Sequence, residues 1–320
     1  MSEQLQSKPD MELYLVHPLK LEISILKVLV YFDLFRYPLT SNEIRLFLDR
    51  LSNETEFCEA LDELVNTGKV FCINKFYSLH NDLSLAERRI KGSEKASLLL
   101  LKAEKIAAFL YKFPYVRGIG ISGSLSKNFA DDDADIDYFI ITKADRLWIA
   151  RTLLHIYMKN PFLKNRRQYY CMNYFVDEAD LVIEEKNIYT ATELYTVIPM
   201  AGNGSVKRFF ETNSWSHNYF PNRPLPYVKC DLKKRTSWFK MFAESILNNK
   251  LGDWLDDYFL GLTTRRWKKK EDEHRVNEKG ERMGLKTAKH YAKPNPVFFH
   301  DRFINMYKVS LEEWKKTWGF

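Results

Sequence analysis

The apolar positions of the first eighty residues predict three helices and a hairpin. Residues 21–35 are apolar on nearly every side, as expected of a helix that is buried on several faces. Thr40 and Glu43 have the spacing of a capping box at the start of a second helix, and a third helix is predicted over Glu54–Asn66. Two short β-rich pieces over 70–79 then predict a hairpin. These elements are enough for a small module.

The middle of the chain alternates between apolar strands and longer helical patterns. In order, the predicted elements are a helix over Ser84–Phe113, strands over Val116–Ser122 and Asp135–Thr142, a helix over Asp145–Met158, and strands over 167–176 and 179–185. Strands mixed with helices in this way predict an α+β fold with a small mixed β-sheet.

The last third of the chain carries aromatic residues at helical spacing. The sequence Ala201-Gly202-Asn203-Gly204 follows a proline and predicts a boundary, because glycine and asparagine favour turns. We therefore divide the chain into an N-terminal module (1–80), a central core (81–202) and a helical, basic C-terminal region (203–320).

The composition is that of a folded protein. The chain has 320 residues, of which 45% are hydrophobic and 28% charged, and its aromatic content of 15% supplies a large core. No apolar run has the length of a membrane span, and the N-terminus lacks a signal pattern, so we expect a cytoplasmic protein that does not enter membranes. The four cysteines are far apart and are interpreted as reduced core thiols (Cys58, Cys72, Cys171 and Cys230).

Most of the excess positive charge lies in one stretch. The formal net charge is +7, and between Thr264 and Lys293 there are eleven basic and five acidic residues, which leaves a local excess of six. Such a stretch could contact phosphates, or it could be a solvated helix face. His290 and His300 lie beside it, and no histidine has the spacing of a metal site.

The N-terminal elements resemble a winged helix-turn-helix. In that resemblance the third helix would enter the major groove of DNA. Here this helix contains five carboxylates and no Lys or Arg (Glu54, Glu56, Glu59, Asp62 and Glu63). Because carboxylates repel phosphates, we do not expect specific binding to duplex DNA, and we expect the module to pack against the chain or contact a partner.

The chemistry-bearing motif lies where the second predicted strand of the core begins. Asp135 and Asp137 are two residues apart on a strand, so their carboxylates leave the same face. Side-by-side carboxylates repel unless a cation lies between them, and hard oxygen ligands suit Mg²⁺. Gly123, in the preceding turn, lets the backbone approach a ligand closely, and turn N–H groups can bind a phosphate.

A Gly-Ser pair, ten further residues and then Asp-x-Asp opening an apolar strand resemble the DNA polymerase β-like nucleotidyltransferase superfamily. The resemblance covers about residues 115–200. It implies that Gly123 and Ser124 bind the phosphates of a nucleoside triphosphate (NTP), and we assign Lys127 in the same turn to this role. It also implies that Asp135 and Asp137 hold Mg²⁺ or Mn²⁺.

The third carboxylate of that family is not found at its expected position. It belongs on the next core strand, where the polar mid-strand residue of this chain is Asn173. An amide cannot accept a proton at pH 7. Among the next acidic residues, Asp180 is the preferred substitute, and Glu184 and Glu185 are alternatives.

These observations predict a metal-dependent nucleotidyltransferase that moves a nucleotidyl group from an NTP to a hydroxyl acceptor. The intact aspartate pair favours this interpretation. Asn173 favours the alternative, a non-catalytic nucleotide-binding regulatory protein that uses the winged-helix-like module as a partner contact.

Overall fold

The computed structural model describes residues 21–160, 162–163, 166–224, 237–274, 276, 283–296 and 299–319. In these residues the helices are α1 (Leu21–Asp33), α2 (Ser41–Leu46), α3 (Glu54–Asn66), α4 (Leu83–Leu110), α5 (Leu147–Met158), α6 (Arg166–Tyr169), α7 (Ile188–Thr196), α8 (Asn203–Thr212), α9 (Trp238–Leu247), α10 (Lys250–Asp272) and α11 (Phe299–Trp318). The strands are β1 (Leu39–Thr40), β2 (Phe71–Ile73), β3 (Phe76–Ser78), β4 (Val116–Ile121), β5 (Asp137–Thr142), β6 (Cys171–Asp177), β7 (Ile198–Ala201), β8 (Met283–Thr287) and β9 (Tyr291–Pro296).

The N-terminal module has the helices and the hairpin that its sequence predicts. Thr40 and Glu43 form the expected capping box at the start of α2, and α3 spans the predicted residues. Asn74 and Lys75 have positive φ angles in the tight turn between β2 and β3. The three strands form an antiparallel sheet in the order β1-β3-β2.

The central sheet has six strands in the order β7-β4-β5-β6-β9-β8. Only β5 and β6 are parallel, and α5 provides the crossover between them; the other neighbours are antiparallel. The expected α+β class with a mixed sheet is confirmed. The C-terminal region is helical only in part, because it also adds β8 and β9 to the edge of this sheet.

Helices cover both faces of the sheet because successive residues of the central strands are apolar and point to opposite faces. On one face Ile119 and Ile140 share a core with Trp148 of α5 and with α4. On the other face Phe139 and Ile141 pack with the apolar residues of α8. A separate core joins α1 and α3 of the N-terminal module to α7 and α11. The sheet therefore holds the end of β4 and the start of β5 in a rigid, buried setting.

The strand that was predicted over 179–185 is wrong. After β6 the chain makes only an isolated bridge between Asp177 and Asp180, and the next residues form no ladder. The side chain of Asp177 accepts hydrogen bonds from the amides of Ala179 and Asp180, which turns the chain away from the sheet. The edge of β6 is paired instead with β9.

The interpretation of the cysteines as core thiols is wrong for two of them. Cys58 on α3 and Cys72 on β2 are exposed, and Cys171 is partly buried. Cys230 lies outside the described residues. In the part of the chain that the structure describes, no helix combines the length and the apolar character needed to cross a membrane.

The basic stretch is divided among one helix and two strands. Its first residues form the exposed C-terminal end of α10, and its last described residues belong to β8 and β9. Lys286 and Lys293 lie 3.4 and 3.9 Å from the Glu185 carboxylate. Lys289 ion-pairs with Asp257. Part of the positive charge is therefore already compensated within the protein.

Candidate functional site

The turn after β4 brings the backbone against a carboxylate. The Ser122 N–H donates to the Asp137 carbonyl oxygen at 3.0 Å, which joins the end of β4 to the start of β5. Gly123 has a φ angle of +69°, and a Cβ atom at this position would overlap the Asp137 carboxylate. Only glycine fits both the left-handed conformation and the space. The exposed Ser124 follows, so the turn faces solvent next to the aspartate.

Three potential metal ligands meet at this end of the sheet. A carboxylate oxygen from each of Asp135 and Asp137 and the Cys171 sulphur lie within 4.8 Å of one another. Cys171 is brought there by the parallel pairing of β5 with β6, in which it is the register partner of Asp137. The Ile136 N–H donates to the Gln168 carbonyl at 2.7 Å and so fixes the backbone between the two aspartates.

The electrostatics of the group favour a cation. Burial raises the pKa of the Asp137 carboxyl to about 7, and the neighbouring Asp135 carboxylate adds to the rise. Burial and the two carboxylates also raise the pKa of the Cys171 thiol, which hydrogen-bonds to both. The thiol is therefore protonated at neutral pH. A bound cation would relieve the repulsion between the two carboxylates.

Lys127 and Glu193 border the aspartates. The Lys127 ammonium donates to the Glu193 carboxylate at 2.7 Å and to the Gly123 carbonyl oxygen at 3.1 Å. The negative charge of Glu193 contributes to the raised pKa of Asp137, and the charge of Lys127 acts in the opposite direction. Lys127 is thus held at the Gly123–Ser124 turn by a carboxylate from α7.

The N-terminal module contacts the same turn. The Tyr37 hydroxyl donates to the Lys127 carbonyl oxygen. The buried Arg89 guanidinium of α4 donates to the Asn128 carbonyl at 3.1 Å and to the Glu43 carboxylate of α2 at 2.8 Å. Phe129 is buried in the core of the module. The turn that carries Ser124 and Lys127 is therefore fixed between the module and the sheet.

The predicted third carboxylate does not join the group. Asp180 follows the far end of β6, whereas Asp137 is the register partner of Cys171 at its near end. A strand rises about 3.3 Å per residue, so the length of β6 separates Asp180 from the pair. Among the described residues, neither Glu184 nor Glu185 belongs to a group of ligands with Asp135 and Asp137.

Asn173 occupies an irregular position in β6. Tyr138 pairs with Met172 and Phe139 pairs with Tyr174, so Asn173 is the extra residue of a β-bulge. Its side chain lies outside the described part of the structure. Sequence analysis missed Cys171 as the residue beside Asp137, because the register of a parallel pair depends on the crossover and the bulge. It also missed Glu193, which α7 brings from a distant part of the chain.

A second group of potential ligands lies at the opposite end of the same strands. Asp145, Asp177 and His290 also have ligand atoms within 4.8 Å of one another. Here the fully buried Asp177 carboxylate accepts the Asp145 N–H at 2.9 Å and faces the His290 Nδ1 atom at 3.0 Å. With the amides of Ala179 and Asp180, its oxygens are fully used within the protein.

Comparison with known proteins adds no relative: no family model, curated protein or solved structure matches the chain.

Proposed function

We propose that this protein is a metal-dependent nucleotidyltransferase that takes an NTP as its substrate. One observation carries the proposal. The Gly123 turn lies against Asp137, while Asp135 and Cys171 complete a compact group of ligands beside it. This combines the two features that the reaction needs, a site for a divalent cation and a backbone turn open to phosphates.

The residues fit a divalent cation. Burial and the neighbouring Asp135 carboxylate raise the pKa of Asp137, and a cation would offset the cost of ionising it. Asp135 and Asp137 would hold Mg²⁺ or Mn²⁺, which would neutralise charge on the triphosphate and on the departing pyrophosphate. The Gly123–Ser124 turn would orient the phosphates, and Lys127 would exchange its contact with Glu193 for a phosphate oxygen.

In the proposed reaction, an acceptor hydroxyl oxygen forms a bond to the α-phosphorus of the NTP. The bond from that phosphorus to the pyrophosphate oxygen breaks, pyrophosphate leaves, and the hydroxyl proton passes to solvent water. The chain contributes mainly by holding the triphosphate for in-line attack.

A screen of the four NTPs with Mg²⁺ or Mn²⁺ for pyrophosphate release tests this function. We expect metal-dependent release with one or more NTPs, in the presence of a mixture of hydroxyl acceptors, and loss of release in Asp137→Ala. Asp132→Ala is the matched control, because Asp132 is an exposed acid of the same loop. Release that persists in Asp137→Ala would contradict the proposal.

The alternative function is that of a nucleotide-binding regulatory protein without turnover. Two observations favour it. The residue beside Asp137 on β6 is a protonated thiol, which cannot act as a general base at neutral pH. In addition, Tyr37 and Arg89 connect the phosphate-binding turn to the N-terminal module. Metal-dependent NTP binding without pyrophosphate release from any acceptor would favour this function.

A further inference from the structure

Helix α10 exposes an apolar stripe with heptad spacing. Leu251, Trp254 and Tyr258 are 54%, 59% and 49% exposed, and Gly261 and Arg265 continue the same three- and four-residue spacing. Residues at this spacing lie on one face of a helix. The opposite face of α10 is buried through Gly252, Asp256 and Trp267. The exposed stripe is therefore additional to the face that packs on the protein.

The centre of the stripe has the shape of a helix-packing surface. The Trp254 and Tyr258 rings are stacked with their centroids 5.5 Å apart, so they form one rigid apolar ridge. One turn further along, a Cβ atom on Gly261 would have no neighbour within 4 Å. In knobs-into-holes packing, the aromatic ridge would act as a knob, and the space at Gly261 would receive a knob from another helix.

The charges of α10 are divided along its length. Asp253 and Asp257, which ion-pair with Arg146 and Lys289, lie in the N-terminal half and leave it with a net negative charge. The C-terminal half carries five basic residues against Glu271 and Asp272, so its net charge is positive (Arg265, Arg266, Lys268, Lys269 and Lys270). Two copies of this helix side by side in parallel would set basic residues against basic residues. In an antiparallel arrangement each acidic half meets a basic half.

We propose that α10 is a self-association surface, on which a second copy of this chain packs with its α10 antiparallel. The heptad layers of such a pair set Tyr258 against Gly261 of the second copy and Trp254 against Arg265 of the second copy. The first pair fills the open glycine position, and the second joins a cation to an aromatic face. Both contacts occur twice, as the two-fold symmetry of a homodimer requires.

The available apolar surface extends beyond α10. Helix α9, which packs against α10, exposes Trp238, Met241 and Phe242 by 77%, 61% and 58%. A helix of this length spans about 35 Å, and stable interfaces bury about 800 Å² on each partner. Exposed apolar residues on two adjacent helices are typical of protein–protein contact sites.

Sedimentation velocity of the full chain over a range of micromolar concentrations tests the proposal. We expect a concentration-dependent dimer, and at least a tenfold rise in the dissociation constant for Trp254→Glu/Tyr258→Glu. The matched control is Leu98→Glu/Leu101→Glu, because these leucines are exposed on α4 by 71% and 62%. The control should dimerise as the wild type does. A monomeric wild type, or equal effects of the two double variants, would overturn the proposal.

Charge reversal provides a second test that does not depend on apolar substitutions. Asp253→Lys/Asp257→Lys gives both halves of α10 a net positive charge, and Arg265→Glu/Lys268→Glu/Lys269→Glu gives both halves a net negative charge. Each variant alone should be monomeric, because both halves then carry one sign of charge. An equimolar mixture should form the heterodimer. If the two variants do not associate when mixed, or if each still forms homodimers, the proposed pairing is wrong.

Discussion

The two ends of the β5–β6 pair carry similar groups of residues in opposite electrostatic states. At one end the Asp177 carboxylate is fully buried, and its oxygens accept three backbone N–H groups and face His290. At the other end Asp137 lies beside a second carboxylate and a protonated thiol, and its pKa is raised to about 7. The ligand atoms lie equally close together in both groups, but the two groups differ in how well their charges are compensated. The Asp177 group holds the fold together, and we propose that the Asp135–Asp137 group binds a cation.

The largest expected effect is on ligand binding at the Asp135–Asp137 group. Asp135→Ala/Asp137→Ala should weaken metal-dependent NTP binding by about 100-fold or more, since both proposed cation ligands are lost. Calorimetric titration measures the affinity, and circular dichroism checks the fold. The control is Asp132→Ala/Asp133→Ala, which removes two exposed acids from the same loop. Unchanged binding in the site variant would show that the wrong group was assigned.

A substitution of Asp177, at the other end of the strands, should mainly change the stability of the fold. Asp177→Ala leaves the amides of Asp145 and Ala179 without their acceptor, whereas the Asp180 N–H keeps the Asp177 carbonyl oxygen. We expect the free energy of unfolding to fall by about 3 kcal/mol. Urea unfolding measures this change. The exposed Asp180→Ala should cost less than about 1 kcal/mol. Similar costs for both variants would remove the proposed difference between structural and functional carboxylates.

Removing the charge of Asp137 should instead stabilise the fold. The pKa of Asp137 is raised above its unfolded value of about 3.8, so the metal-free folded protein binds more protons than the unfolded chain between about pH 4 and pH 7. Its stability therefore falls as the pH rises through this window. Asp137→Asn removes the charge, and we expect it to raise the free energy of unfolding by about 1–2 kcal/mol at pH 8 relative to the wild type.

At pH 5 the advantage of Asp137→Asn should be smaller, because the wild-type carboxyl is then largely protonated. Chelated protein and urea unfolding at both pH values provide the measurement. An asparagine variant that is less stable than the wild type at pH 8 would contradict the assignment of Asp137 as a strained carboxylate.

The smallest expected effect concerns Lys127. Lys127→Gln removes one cation from the proposed phosphate-binding turn and should weaken NTP binding by roughly 5- to 10-fold, while the affinity for the metal alone stays the same. Glu193→Gln is the paired variant, because it removes the partner of Lys127 and leaves the lysine in place. It should not weaken NTP binding. Equal losses in both variants would indicate that the ion pair only supports the fold.

The local elements could be predicted from the sequence because their signals are local. The capping box at Thr40, the limits of α3 and the tight turn at Asn74 depend on neighbouring residues, and all three are confirmed. The Gly-Ser turn was found for the same reason. The strand predicted over Asp135–Thr142 begins two residues too early, because β5 starts at Asp137 and Asp135 precedes it.

The remainder of the site depends on contacts between distant residues. A bulge at Asn173 sets the phase of β6 and brings Cys171 to Asp137, and α7 brings Glu193 to Lys127 across 66 residues. The strand predicted over 179–185 does not form, because its first N–H groups, those of Ala179 and Asp180, donate to the Asp177 carboxylate and not to a neighbouring strand. No periodicity of apolar residues contains this information.

The most direct test of the central claim is anomalous diffraction from crystals grown with Mn²⁺ and an NTP. The proposal predicts an anomalous peak about 2.2 Å from oxygens of Asp135 and Asp137, with the triphosphate next to Gly123 and Ser124. Mn²⁺ bound instead at the Asp145, Asp177 and His290 group, with the aspartate pair empty, would contradict it.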